Sequence, residues 1–98
     1  MKKIILINIS KLDFDFSHYK TYKKKFDIYF REDQKKIDKD RVIAILAGLE
    51  VYSQNKINSF RNLRVISRFG TGIDNIDLPY AKKKNILILR TKLDPVLP

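Results

Sequence analysis

Apolar side chains in this chain come in short unbroken runs, and between the runs they return every third or fourth position. "IILINI", Ile4 to Ile9, is a nearly continuous β-branched and aliphatic stretch, the pattern of a strand buried on both faces. "RVIAILAG", Arg41 to Gly48, and "ILIL", Ile86 to Leu89, repeat it, and "FDIYF", Phe26 to Phe30, and "LRVIS", Leu63 to Ser67, read as two shorter strands. Tyr19, Tyr22 and Phe26 have helical spacing, with Ser17 placed to cap the start. Asp33 to Asp40 is polar and fits a weak helix or a loop. Ser53 opens a second helical segment that puts Ile57 and Phe60 on one face. In a third, Asp77 is the expected N-cap, Pro79 falls in the first turn, and Lys82 to Lys84 favour the negative end of the helix dipole. Asn85 can take the left-handed position that ends it. Strands that alternate with helices in this way imply βαβ units with right-handed crossovers, hence an α/β fold around a parallel sheet of about five strands. The ending "RTKLDPVLP", with two prolines and no period, reads as a linker.

Composition narrows this without changing it. Ninety-eight residues, 44% of them hydrophobic, suffice for one core and one domain. Cysteine is absent, so disulfides and thiolate metal sites are excluded, and the lone His18 cannot build a zinc cluster. A cytoplasmic location is expected, because Asn8 interrupts the first apolar stretch too early for a signal-peptide core. No run approaches the roughly 18 apolar residues of a membrane-spanning helix, so no membrane association is expected. The formal net charge of +10 would attract anions, nucleic acid among them. Its tightest clusters, Lys23 to Lys25 and Lys82 to Lys84, sit beside helical segments and read as solvated helix ends; most aromatics fall at core positions and no recognition helix is evident. Nucleic-acid binding is therefore the weakest of the functional readings.

The chemistry concentrates in "SRFGTGIDNID", Ser67 to Asp77, which holds two of only three glycines. Gly70-Thr71-Gly72 directly follows the fourth strand, where an open parallel sheet binds its ligands. Glycine there permits conformations closed to residues with a Cβ and lets successive amides point at one anion, a carboxylate or a phosphate. From spacing alone a sharp strand-to-helix turn is the stronger reading. The motif is not the dinucleotide fingerprint, because Asn75 stands where the third glycine should be. Asp74, Asn75 and Asp77 could serve as metal ligands or acids, although short polar side chains beside a turn more often bond local amides.

"RNLRVISRFGTGIDNIDLPYAKKKNILILRT", Arg61 to Thr91, resembles the corresponding stretch of the D-isomer-specific 2-hydroxyacid dehydrogenases, especially the phosphoglycerate dehydrogenase-like members. "AGLEVYSQNKINSF", Ala47 to Phe60, is similar to the family segment just upstream. The resemblance implies a three-layer, flavodoxin-like substrate domain, incomplete relative to the family, over residues 1–90, and the start of a hinge to an absent NAD-binding domain over 91–98. It implies substrate-binding residues at Gly70, Thr71 and Gly72, whose loop amides would hold the substrate carboxylate, and at Gly48 and Leu49, lining the same cleft. Asp74 and Asn75 would brace the loop.

It also implies reversible hydride transfer between NAD, or NADP, and the C2 carbon of a 2-hydroxy or 2-keto acid. No catalytic or cofactor-binding residue is expected in this chain, since the family's fingerprint, arginine and histidine all lie after the hinge. Arg68, Arg90 and His18 are not expected to replace them. The chain alone should be inactive and should need a cofactor domain or companion chain. Apolar sheet surface that the family covers with a returning helix should be left bare, which favours marginal stability, self-association as a homodimer, or a missing partner. The alternative is a stand-alone module that binds small anions without chemistry.

Overall fold

The computed structural model describes residues 1–34, 37–70 and 72–90. Five strands, β1 (Lys3–Ile7), β2 (Phe26–Phe30), β3 (Val42–Ala47), β4 (Val65–Arg68) and β5 (Leu87–Arg90), form one parallel sheet in the order β2-β1-β3-β4-β5. Each apolar run became a strand, Phe26–Phe30 with its expected bounds and the other four shifted by one or two residues. The strand order is that of flavodoxin-like folds.

Two helices, α2 (Gln54–Asn58) and α3 (Leu78–Lys83), lie on one face of the sheet and α1 (Tyr19–Lys23) on the other, giving three layers. On the α2/α3 face Ile4, Leu6, Val42, Ile45 and Ile66 meet Ile57, Phe60, Ile76 and Ala81 in the main core, where all are buried. The second face bears two rows fixed by register. Ile28, Ile5, Ala44, Val65 and Leu87 form one row; Phe30, Ile7, Leu46, Ser67 and Leu89 form the next.

Burial on that second face is uneven, which departs from the expectation of strands enclosed on both sides. Phe14, Tyr19 and Phe30 pack over β1 and β2, with Phe14 and Phe30 edge to face at 5.4 Å. Toward β5 the cover runs out: Val65 is half-buried and Leu87 is 58% exposed. Five residues of α1 are too few to span five strands, and among the described residues of β4 and β5 the exposed apolar side chain is Leu87.

Local chemistry sets the ends of the helices. Ser53 caps α2 by accepting from the Lys56 amide, and Asp77 caps α3 by accepting from the Tyr80 amide at 3.0 Å. Asn85 takes φ 59° and ends α3 in the left-handed conformation. The first helix differs from its expected form. Ser17 does not cap it: a 3₁₀ turn at Phe16–His18, capped by Asp15 accepting from the Ser17 amide, precedes α1, whose own N-cap His18 makes no side-chain cap bond. Phe26, periodic with Tyr19 and Tyr22, belongs to β2, because pairing with Lys3 of β1 outweighs one more turn of an already short helix. Two further 3₁₀ turns, Arg31–Asp33 and Lys39–Arg41, occupy the polar stretch before β3. Among the described residues no helix is long and apolar enough to cross a membrane.

Removing the α3 cap tests the local part of this account. Asp77→Ala should lower unfolding free energy by about 1 kcal/mol, read as a reduced urea midpoint with unchanged slope.

Candidate functional site

The chain leaves β1 to build β2 on one side and returns to build β3 on the other, so connections diverge at the carboxyl ends of β1 and β3 and open a crevice there. Asn8 follows β1, Gly48 and Leu49 follow β3, and Arg68 and Phe69 close β4; with Arg31, just past β2, they line a depression of about 460 Å³. Gly70 and Gly72 do not line it, although Gly70 directly follows Phe69. Thr71 lies outside the described residues.

The three glycines answer to different constraints. A Cβ on Gly48 would stand 2.6 Å from the Asn8 carbonyl oxygen, so close passage of the β3 loop against the end of β1 requires glycine. Gly70 has φ 121°, and a Cβ there would approach an Arg68 guanidinium nitrogen to 2.9 Å. Gly72 is exposed, and a Cβ would meet nothing within 4 Å. Among the described residues no oxygen accepts from the Gly70 or Gly72 amide.

Asn75 ties the two loops together. Its Nδ2 donates to the Gly48 carbonyl at 3.0 Å and the Glu50 carbonyl at 2.8 Å, and its Oδ1 accepts from Arg68 Nε at 3.4 Å. Main-chain bonds reinforce this: the Tyr52 amide donates to the Asn75 carbonyl at 2.7 Å, and the Asp77 amide donates to the Tyr52 carbonyl at 3.0 Å. Tyr52 is wholly buried, and its hydroxyl donates to the Glu50 carboxylate while accepting from Asn8 Nδ2 at 3.0 Å. Gln34 Nε2 donates to Asn8 Oδ1 at 2.6 Å, so the network reaches the segment after β2. Burial, then the hydrogen bond from the phenol to Glu50, raises the Tyr52 pKa above its ordinary value, and the phenol stays a donor across the neutral range.

Expected site residues are only partly brought together. Gly48 and Leu49 line the crevice, while Gly70 and Gly72 do not. Asn75 has the bracing role that the resemblance implied; Asp74 is exposed. Arg68 is 7% exposed, and its guanidinium donates to the Phe69 carbonyl as well as to Asn75. Arg90 pairs with it across β4 and β5, and His18 is exposed on the α1 side, its ring 6.3 Å from Tyr22. Asn8, Glu50 and Tyr52 were not anticipated as site residues. The sole signal for Asn8 is an amide ending an otherwise apolar strand. Among the described residues no group of three or more metal-ligating side chains converges.

Residues 17–93 match the family model of the D-isomer specific 2-hydroxyacid dehydrogenase, catalytic domain. The D-3-phosphoglycerate dehydrogenase of Sus scrofa is 39% identical over 67 residues, covering 60% of this chain and 13% of that protein. A hydroxypyruvate reductase of Thermotoga maritima is 33% identical over 63 residues, covering 56% of this chain and 21% of that protein. The chain thus spans 13% to 21% of the length of these curated relatives. Among solved structures, a glyoxylate reductase from Paecilomyes thermophila superposes with a TM-score of 0.72 at 19% identity, covering 95% of this chain and 33% of that one. Cofactor (NAD+)-bound 3-phosphoglycerate dehydrogenase of Entamoeba histolytica gives 0.65 at 18% identity, covering 91% and 33%. At these identities the structural matches establish the fold.

Two measurements check the site's construction. Gly48→Ala and Gly70→Ala should each destabilise by about 1–3 kcal/mol through overpacking or a left-handed Cβ, whereas Gly72→Ala should be neutral or stabilise by up to about 1 kcal/mol. Equal losses at all three positions would contradict the division of roles. For Tyr52, a folded pKa raised above the ordinary 10.0 means that the unfolded chain binds fewer protons once pH passes 10. Its contribution is complete below pH 10 and is lost as pH rises further. Thermal midpoints should therefore fall more steeply above pH 10 in the wild type than in Tyr52→Phe.

Proposed function

Since the chain belongs to the D-isomer specific 2-hydroxyacid dehydrogenase family, by its match to that family's catalytic domain, we propose that residues 1–90 are the substrate-binding part of an NAD-dependent dehydrogenase, with residues 91–98, outside the described residues, beginning the hinge to its cofactor domain. The crevice holds the carboxylate of a 2-hydroxy or 2-keto acid on the main-chain amides of the Gly70-Thr71-Gly72 loop. The observation that carries this reading is Gly72, a glycine whose surroundings tolerate a side chain. Gly48 and Gly70 meet demands of the fold. A third glycine without such a demand is explained by close approach of a ligand to the main chain.

A fixed carboxylate sets the direction in which C2 of the acid faces, and orienting the reacting carbon is a large part of a hydride-transfer catalyst's work. Leu49, 81% exposed beside Gly48, supplies an apolar wall next to the bound acid. A bound nicotinamide would supply the hydride chemistry at C2, and no residue of the glycine loop would need to exchange a proton with the acid. The loop after β4 does not fit the dinucleotide pyrophosphate: Asn75 occupies the third glycine position, and its amide is spent on the Gly48 and Glu50 carbonyls. The cofactor therefore belongs to a domain beyond these residues, NAD as in the Entamoeba neighbour or NADP, in a cytoplasmic setting. The exposed Leu87 on β5 suits a covering domain, a companion chain or a second copy.

Titration of the isotopically labelled chain with D-lactate or D-glycerate tests this reading. Amide shifts should concentrate at Gly48, Leu49, Gly70 and Gly72, and Gly72→Ala should weaken the acid by about tenfold, because the added Cβ keeps the carboxylate from approaching the main chain, without lowering the melting temperature. Shifts scattered elsewhere, or unchanged affinity in Gly72→Ala, would refute the cradle. The chain mixed with NADH and hydroxypyruvate should show no oxidation above blank.

A further inference from the structure

The sheet face that carries α1 is filled unevenly, and the gap has a definite outline. Ile7 and Phe30 are buried beneath a cluster of rings in which Phe16 stacks on Phe30 at 5.7 Å and Phe14 meets Phe16 edge to face at 4.7 Å. Those contacts hold the approach to α1 over the carboxyl end of β2. Two residues earlier on each strand, Ile5 and Ile28 are only half-buried, and so is Phe26 beyond them. The five residues of α1 do not close over this part, and Tyr22 stays 52% exposed. What remains is a hollow of about 320 Å³, with Tyr19 and Tyr22 on its helix side and Ile5, Ile28 and Phe26 on its sheet side.

The lining is almost wholly apolar, with Asp15 and His18 as its polar members. Asp15 is committed, its Oδ1 accepting from the Ser17 amide and hydroxyl. Positive charge gathers where α1 ends and β2 begins. Lys3 is the register partner of Phe26, so the two side chains leave the sheet on the same face, and among the described residues the Lys3 ammonium has no ion-pair or hydrogen-bond partner. Lys23 holds its ammonium 5.5 Å from the Tyr19 ring centroid, and Lys2 Nζ donates to the Lys23 carbonyl at 3.2 Å. Asp27, next to Phe26, falls on the opposite face by alternation along β2 and pairs with Arg41.

An apolar trough that ends among ammonium groups matches an amphiphile with an anionic head. From Phe26 to Phe30 the strand rises about 13 Å at roughly 3.3 Å per residue, a span that an extended medium-chain acyl group covers. A shorter acid would reach the lysines without filling the trough, and an uncharged alcohol would fill it without using them. We propose that this hollow is a binding site for a medium-chain aliphatic carboxylate, its tail laid over Ile5 and Ile28 beneath Tyr19 and Tyr22 and its head at Lys3 and Lys23. It draws on no residue of the glycine loop, so it stands or falls separately from the proposed cradle.

Titration of the isotopically labelled 98-residue chain with octanoate, octan-1-ol and butyrate, all kept below aggregation, tests the assignment. Octanoate should shift the amides of Ile5, Tyr19, Tyr22, Phe26 and Ile28 and bind about fivefold tighter than octan-1-ol at low salt, with the margin shrinking as salt rises; butyrate should not saturate. The double variant Lys3→Gln/Lys23→Gln should bring octanoate level with octan-1-ol and leave the alcohol's affinity unchanged. Ile28→Phe, which fills the hollow, should abolish binding of both while keeping or raising the melting temperature. No saturable octanoate binding, a margin over octan-1-ol that is absent in the wild type or persists in the double variant, or octanoate binding that survives in folded Ile28→Phe would each overturn the proposal. Shifts at the same amides that grow with protein concentration before ligand is added would give the hollow to a second copy of the chain and overturn it too.

Discussion

Three hydrogen bonds from one side-chain amide, that of Asn75, hold together the two loops at the carboxyl end of the sheet. Its two N–H donors and its oxygen all have partners: the Gly48 and Glu50 carbonyls in the loop after β3, and Arg68 at the end of β4. Loops past the ends of strands have no ladder to satisfy their carbonyls, and a polar side chain supplying that need also fixes their separation. Tyr52 extends the arrangement. Its main chain bridges to Ile76 and its hydroxyl links Glu50 to Asn8, so the ends of β1, β3 and β4 move as one unit.

Within that unit the glycines do not share one reason. Gly48 lets the β3 loop pass close to the Asn8 carbonyl, and Gly70 lets the chain turn over the Arg68 guanidinium. Both conditions are fixed by the protein's own atoms. A Cβ on Gly72 would meet nothing within 4 Å, so its surroundings do not demand glycine. The proposed cradle gives that third glycine a purpose, at the switch point where open α/β sheets gather their ligands.

The strands were legible because continuous apolar runs survive any choice of register, and the caps at Ser53 and Asp77 were legible because they act within three residues. The first helix was misjudged at both ends for a related reason. Asp15 and Ser17 are interchangeable as local caps, and Phe26 satisfies helix periodicity as well as strand pairing with Lys3, a contact 23 residues away that no window reveals. Leu87 is exposed because cover depends on how many residues reach that side, not on the strand's own pattern. In the site, the glycines and Asn75 could be read from the motif. Asn8, Glu50, Tyr52 and Gln34 could not, since their significance lies in side-chain bonds between segments up to 44 residues apart.

A crystal structure of the chain with a 2-hydroxy acid bound examines the cradle most directly. Carboxylate oxygens should lie about 2.7–3.2 Å from the Gly72 main-chain nitrogen, with the Asn75 amide still donating to the Gly48 and Glu50 carbonyls. An acid seated elsewhere, or a Gly72 N–H turned toward an oxygen of the protein itself, would contradict the account.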